Sequence, residues 1–213
     1  LFRSIIIFEV TLLISVHSDT PNLRHIRHGA TALKNGKIIV YPTDTLYGLG
    51  CDIHNKSAIE KIYRIKMMDK KKPLSFICYD YSQVAEYAKI SNFAFKIMKS
   101  ILPGPYTIIL PATNRVPKML KTKQRTVGIR IPENEFAMQL VKEFGSPIIS
   151  TTITTDEEIV VSDPDTINEK YSKQISYVFS DGISASEPST IIEIIDNEIR
   201  LIRQGKGSTE FLN

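Results

Sequence analysis

Lys37-Ile38-Ile39-Val40-Tyr41-Pro42-Thr43-Asp44-Thr45-Leu46-Tyr47-Gly48-Leu49-Gly50 is the most informative run in this 213-residue chain. Its opening, Lys37–Tyr41, is a short β-branched apolar run and predicts a buried strand. The remainder packs two threonine hydroxyls, a carboxylate, two tyrosines and two glycines into Tyr41–Gly50. Loops after strands are where α/β sheets place ligands. Small hydroxyl side chains and glycine also let backbone N–H groups approach an anion. The competing reading is a polar turn leading into a Gly-rich strand.

Working outward, strand and helix signals alternate. Leu12–Val16 reads as a first strand. Pro21 and Asn22 open a helix that runs to Asn35-Gly36, where Gly36 takes a left-handed cap. Asn55–Lys66 is helical, with Ile59, Ile62 and Tyr63 on one face. Leu74–Tyr79 is a strand, and Ser91–Leu102 is a helix stopped by Pro103-Gly104-Pro105. Tyr106–Pro111 and Thr126–Pro132 are strands. Asn134–Phe144 is a helix ended by Gly145, and Pro147–Thr151 is a strand. Ser162 reads as an N-cap, with Pro164 just inside its helix. Ser176–Ser180, Ser189–Ile194 and Glu198–Ile202 are strands, the last two joined by a tight turn at Asp196-Asn197. The alternation predicts a mixed α/β sheet with packed helices. The C-terminal hairpin argues against an all-parallel sheet.

Composition is that of a globular domain, with 42% hydrophobic and 23% charged residues. Net charge is +4, which suits an anionic partner without demanding one. Cys51 and Cys78 match no zinc-ligand spacing and read as buried, reduced thiols of a cytoplasmic protein. The four histidines offer no metal-site spacing, so no protein-bound metal is expected. The apolar stretch Ile5–Val16, broken by Glu9, is too short to span a bilayer and lacks a small-residue cleavage site. Residues 1–11 have no assigned role and are set apart as an N-terminal extension from a domain at 12–213.

Further candidates carry chemistry. Arg64, Lys66, Lys70, Lys71 and Lys72 end a helix and lead into a strand. They read either as an anion site or as a solvated helix terminus whose cations offset the dipole. Arg130 lies inside an apolar strand and needs a partner, because unpaired buried charge is costly. That partner is either a ligand anion or a structural carboxylate. Ser150-Thr151-Thr152-Ile153-Thr154-Thr155, Pro188-Ser189-Thr190 and Arg203-Gln204-Gly205 are each a polar strand end or turn when read alone. There is no P-loop, Rossmann glycine fingerprint, nucleophile elbow or His-Glu-x-x-His motif.

Taken in order, these pieces resemble the YrdC/YciO family over Leu12 to Phe211. The markers are Pro42–Gly50, Lys66 with Lys72-Pro73-Leu74, Pro103-Gly104-Pro105-Tyr106-Thr107, Val127–Pro132, Ser150-Thr151-Thr152, Pro188-Ser189-Thr190 and Arg203-Gln204-Gly205. The resemblance implies a YrdC/RibB-like twisted open mixed sheet with a basic concave groove. It implies synthesis of L-threonylcarbamoyl-AMP and pyrophosphate from ATP, L-threonine and bicarbonate, normally with magnesium, for the t6A modification of tRNA. The family is also described as binding double-stranded RNA, which implies a binding protein with little synthase activity as the alternative.

Carried over residue by residue, Lys66, Lys72 and Arg130 are the expected catalytic cations. Thr43, Asp44 and Tyr47 are expected at the substrate pocket, and Ser150, Thr152, Ser189, Thr190 and Arg203 around substrate or nucleotide. Two positions depart from the pattern. The arginine of the family's Lys-x-Arg element is Met68 here, and its Ser-Ala-Asn falls on Thr152-Ile153-Thr154. With Cys78 and Ser150-Thr151-Thr152, these departures resemble the YciO branch. Loss of a bidentate cation at a developing pyrophosphate costs about 2–4 kcal/mol at the transition state.

Overall fold

The computed structural model describes residues 11–70, 72–154, 159–184 and 187–212. Among them the chain runs β1 (Leu12–Ser15), α1 (Leu23–Lys34), β2 (Ile39–Tyr41), β3 (Gly48–Gly50), α2 (Lys56–Ile65) and β4 (Ser75–Ile77). It continues through α3 (Tyr81–Tyr87), α4 (Asn92–Ile101), β5 (Tyr106–Pro111), β6 (Thr126–Arg130) and α5 (Glu135–Phe144). The last elements are β7 (Ile148–Thr152), α6 (Pro164–Tyr171), β8 (Tyr177–Ser180), β9 (Thr190–Ile195) and β10 (Glu198–Arg203). Every one of these helices starts on a side chain that accepts a backbone N–H: Asn22, Asn55, Asp80, Ser91, Asn134 and Asp163. Each such cap is worth about 1 kcal/mol. The last corrects the sequence reading by one residue. Asp163, not Ser162, is the cap, and its carboxylate accepts from the Thr166 N–H at 3.0 Å. Helix α3 was not expected from the sequence.

The strands form one mixed sheet in the order β1-β8-β2-β3-β7-β4-β6-β5-β9-β10. The sheet is mixed, as expected: β1/β8, β2/β8, β4/β6 and β5/β9 are parallel and the other pairs antiparallel. The β9–β10 hairpin turns at Asp196 and Asn197, both left-handed at φ 52° and 63°. That conformation is tolerated best by Asn, Asp and Gly. Gly36 is likewise left-handed, at φ 70°.

The core has two parts. One unites α1 and α5 with Tyr41, Ile77, Ile148 and Phe179. The other lies under α2, α3, α4 and α6, and includes Phe76, Ile129 and Ile149. Strand alternation explains the division: Phe76 and Ile77 are neighbours in β4 and point to opposite faces. β3 contains Gly48 and Gly50 because the Tyr41 ring lies on it. A Cβ on either glycine would come within 2.7 Å of that ring.

Thr11, assigned above to the extension, is packed into the domain. Its hydroxyl lies 2.6 Å from both the Ser172 and the Ile175 carbonyl oxygens and is 4% exposed. The rest of that segment, with Lys71 and Thr155, lies outside the described residues. No helix among the described residues is long and apolar enough to cross a membrane.

Candidate active site

The sheet face that carries α1 and α5 is only partly covered. Ser75 shares a face with Ile77 two residues on, and Ser150 with Ile148. The isoleucines sit under the helices, while the serines pair with each other across β4 and β7 in the open part. Gly128 pairs with Ser75 on the other side. A Cβ there would stand 3.1 Å from the Ser75 hydroxyl and 3.3 Å from the Thr107 methyl. Gly48 and Thr152 pair on the same face. The open part is therefore floored with small, mostly hydroxyl-bearing residues, and a cleft of about 300 Å³ rises above it.

Cations wall the cleft. Arg130 ends β6 and Arg203 ends β10, and both line it with Lys72. The Arg130 Nη2 donates to Asp44 Oδ1 at 2.7 Å and to the Thr45 hydroxyl at 3.0 Å. Side-chain exposure of this ion pair is 9% and 7%. The arginine in the strand thus has the structural carboxylate as its partner, and it also lines the cleft. Arg203 donates Nε and Nη2 to the Ser189 carbonyl at 3.3 and 2.8 Å. Burial, and then the positive charge of Arg130, pull its pKa below the usual arginine range. With Arg130 paired to Asp44, Arg203 and Lys72 supply the further positive charge along this polar floor.

A second lobe of about 270 Å³ adjoins the first, sharing Leu46, Met68, Lys72, Thr152 and Arg203. Lys66 enters here. Its ammonium donates to the Thr152 carbonyl at 2.6 Å and to the Thr154 hydroxyl at 2.7 Å. The backbone explains why Lys66 and Met68 both reach this lobe although two residues apart. α2 ends in a Schellman turn, with Met67 N–H on Arg64 O at 3.1 Å and Met68 N–H on Tyr63 O at 3.0 Å. Met67 occupies the left-handed position, φ 47°, usually taken by glycine. Its side chain swings into solvent, 74% exposed, while Met68 folds back into the wall.

Lys66, Lys72, Arg130, Tyr47, Ser150, Thr152, Ser189 and Arg203 therefore share one two-lobed cleft. Thr43, Asp44 and Thr190 stand behind its wall. Thr43 Oγ1 donates to the Leu46 carbonyl at 2.8 Å and accepts the Thr45 N–H at 3.1 Å, which fixes the β2–β3 loop. Thr190 is fully buried and donates to the Gly207 carbonyl at 2.7 Å. Tyr47 borders the cleft, but its side chain is fully buried in the core and its phenol bonds away to Ser180, Asp181 and Gly182. Burial pushes that phenol up to about 12. Ser75 and Thr107 were not singled out in the sequence as site residues; a serine opposite a serine becomes visible only with the strand register.

A larger cavity, about 690 Å³, lies between α1 and α5. Its charged lining is Asp80, Glu135, Glu143 and Lys142. Nothing there converges on a ligand anion, so the chemistry is assigned to the smaller cleft. No group of three or more His, Cys, Asp or Glu residues placed to hold a metal occurs among the described residues.

Comparison with known proteins supplies the family and the fold relatives. The Sua5/YciO/YrdC family model, described as telomere recombination, matches residues 31–205. The uncharacterized protein YciO of Escherichia coli (strain K12) is 35% identical over 197 residues, covering 92% of this chain and 96% of that protein. Its crystal structure superposes with a TM-score of 0.89 over 94% of this chain and 98% of that one. A threonylcarbamoyl-AMP synthase of Vibrio vulnificus (strain YJ016) is 29% identical over 177 residues, 82% of this chain and 95% of that protein. P. abyssi Sua5 complexed with L-threonine matches at TM-score 0.85 and 26% identity, covering 92% of this chain and 58% of that one. The resemblance read from the motifs holds over nearly the whole domain: the chain belongs to the Sua5/YciO/YrdC family.

Proposed function

We propose that the cleft binds ATP and L-threonine and makes L-threonylcarbamoyl-AMP, slowly. The observation that carries this reading is the convergence of Arg130, Arg203, Lys66 and Lys72 on a floor of small hydroxyl residues. The threonine-bound Sua5 and the synthase name of the Vibrio relative supply the substrate class.

On this reading bicarbonate joins the threonine amine as a carbamate with loss of water. A carbamate oxygen then attacks the α-phosphorus, and pyrophosphate leaves. No protein nucleophile is needed; positioning and fixed positive charge supply the acceleration. Lys66 and Lys72 neutralise the β- and γ-phosphates. Arg130 and Arg203 hold the reacting carboxylate and the α-phosphate. Ser150, Thr152 and Ser189 orient substrate by hydrogen bonds. Thr43, Asp44 and Tyr47 shape the pocket from behind, and Thr190 braces its rim. Magnesium arrives on the triphosphate, whose oxygens are the ligands it prefers.

Met68 sets the rate. It stands in the wall between the lobes, where a cation would meet the leaving group. The test is product formation from ATP, bicarbonate, threonine and magnesium by wild type and Met68→Arg. Threonine-dependent pyrophosphate release that rises about tens-fold or more in the variant supports the reading. No product from either protein overturns it.

A second reading has its own observation. Lys70, Lys72, Lys121 and Lys123 surround a further concavity of about 360 Å³ that meets the cleft at Lys72-Pro73. Such a basic rim fits the phosphates of tRNA or double-stranded RNA. Binding to an RNA duplex that weakens steeply with salt supports it, and salt-insensitive or absent binding removes it.

A further inference from the structure

After β10 the chain turns back through Gln204-Gly205-Lys206-Gly207-Ser208. Both glycines lie where no side chain fits. A Cβ on Gly205 would overlap the Pro188 carbonyl oxygen, and one on Gly207 would overlap the Tyr106 ring. Hydrogen bonds pin the segment along its length. The Gly205 N–H donates to the Thr190 hydroxyl at 3.0 Å, and that hydroxyl donates to the Gly207 carbonyl at 2.7 Å. The Lys206 N–H donates to the Pro188 carbonyl at 2.9 Å, and the Tyr106 phenol donates to the Ser208 carbonyl at 3.1 Å.

This fixed backbone aims the Lys206 side chain at the β2–β3 loop, 162 residues earlier, where Nζ donates to the Asp44 carbonyl at 2.6 Å. Asp44 is thereby gripped twice, by Lys206 at its main chain and by Arg130 at its carboxylate. The same loop carries Leu46 and Tyr47 to the cleft wall. An ammonium–carbonyl bond is charge-assisted, and at this exposed rim it is weaker than a buried one.

We infer that Lys206 is a positioning residue: it latches the 43–47 loop so that Asp44 stays on Arg130 and the cleft keeps its shape for a phosphate-bearing ligand. The inference rests on the proposed function for its consequence, but its first test needs no ligand. Hydrogen exchange is measured on the full ligand-free chain as wild type, Lys206→Met and Lys206→Arg. Peptides covering 42–47 should exchange about threefold to tenfold faster in Lys206→Met. Exchange there should return near wild type in Lys206→Arg, with β5 and β6 unchanged throughout. Unchanged exchange at 42–47 in Lys206→Met overturns the latch, as does acceleration that arginine does not reverse. The second readout is the dissociation constant of α,β-methylene-ATP with magnesium. It should rise by the same factor in Lys206→Met and recover in Lys206→Arg. Equal affinity in all three proteins overturns the positioning role. Faster, arginine-rescued loop exchange in a chain that binds no analogue supports the latch and overturns the nucleotide reading instead.

Discussion

Replacing Asp44 by alanine removes the carboxylate that faces the Arg130 guanidinium. The structure sets the size of the effect. In the intact pair the Nη2···Oδ1 distance is 2.7 Å and both side chains are below a tenth exposed. Arg130 Nε is already buried without a partner, so the variant leaves the Thr45 hydroxyl, 3.0 Å from Nη2, to hold the cation. Breaking a buried pair by removing one partner costs about 3–5 kcal/mol. Because Arg130 also borders the cleft, water reaches part of it, and the lower end applies, about 3 kcal/mol. For a chain of this size that is a fall of about 6–12 °C in melting temperature. Urea unfolding followed by far-ultraviolet circular dichroism measures it; the chain has no tryptophan to report by fluorescence. The double variant Asp44→Ala/Arg130→Met removes the orphaned charge as well and should recover to within about 1 kcal/mol of wild type. The reasoning is refuted if Asp44→Ala costs under about 1 kcal/mol, or if the double variant is no more stable than the single one.

Gly48→Ala should destabilise by about 1–3 kcal/mol, because its Cβ would come 2.7 Å from the Tyr41 ring in a strand paired on both sides; thermal melting checks it. The same substitution at Gly145, where a Cβ would meet nothing within 4 Å but φ is 83°, isolates the backbone cost. Alkaline pH should unfold the protein early. Burial raises both thiols above their ordinary 9.0, so the fold holds them neutral. That contribution is complete below about pH 9 and is lost as pH rises past it, at about 1.4 kcal/mol per thiol per pH unit. Tyr47 adds to the loss between its ordinary 10.0 and about 12. Urea midpoints between pH 8 and pH 10 should fall steeply in wild type and less so in Cys51→Ala/Cys78→Ala, and parallel slopes would contradict this.

Much of the fold was legible because its signals are local. The β-branched run of β2, the Asp196-Asn197 turn and the stop at Pro103-Gly104-Pro105 each act within a few residues. Helix α3 was missed because its seven residues, Tyr81–Tyr87, make two turns and carry no long apolar period. Its cap, Asp80 accepting from the Gln83 N–H at 2.7 Å, is a local signal that could have located it. The site was legible as a set of segments but not as a division of labour. Thr43, Asp44 and Thr190 belong to motifs at the cleft, yet their side chains face other parts of the protein. Which residue of a motif touches ligand and which braces it depends on pairing between strands far apart in sequence. Ser75 opposite Ser150 is one such case; Lys206 on Asp44 is another.

The most direct test of the cleft as a nucleotide site is calorimetric titration of α,β-methylene-ATP with magnesium into wild type, Lys66→Met, Lys72→Met and Lys142→Met. The last variant alters the cavity between α1 and α5 and serves as control. Saturable binding to wild type and the control, weakened by about tenfold or more in the Lys66 and Lys72 variants, is the expected result. No binding to wild type, or equal affinity in all four proteins, would contradict the assignment of the phosphates to this cleft.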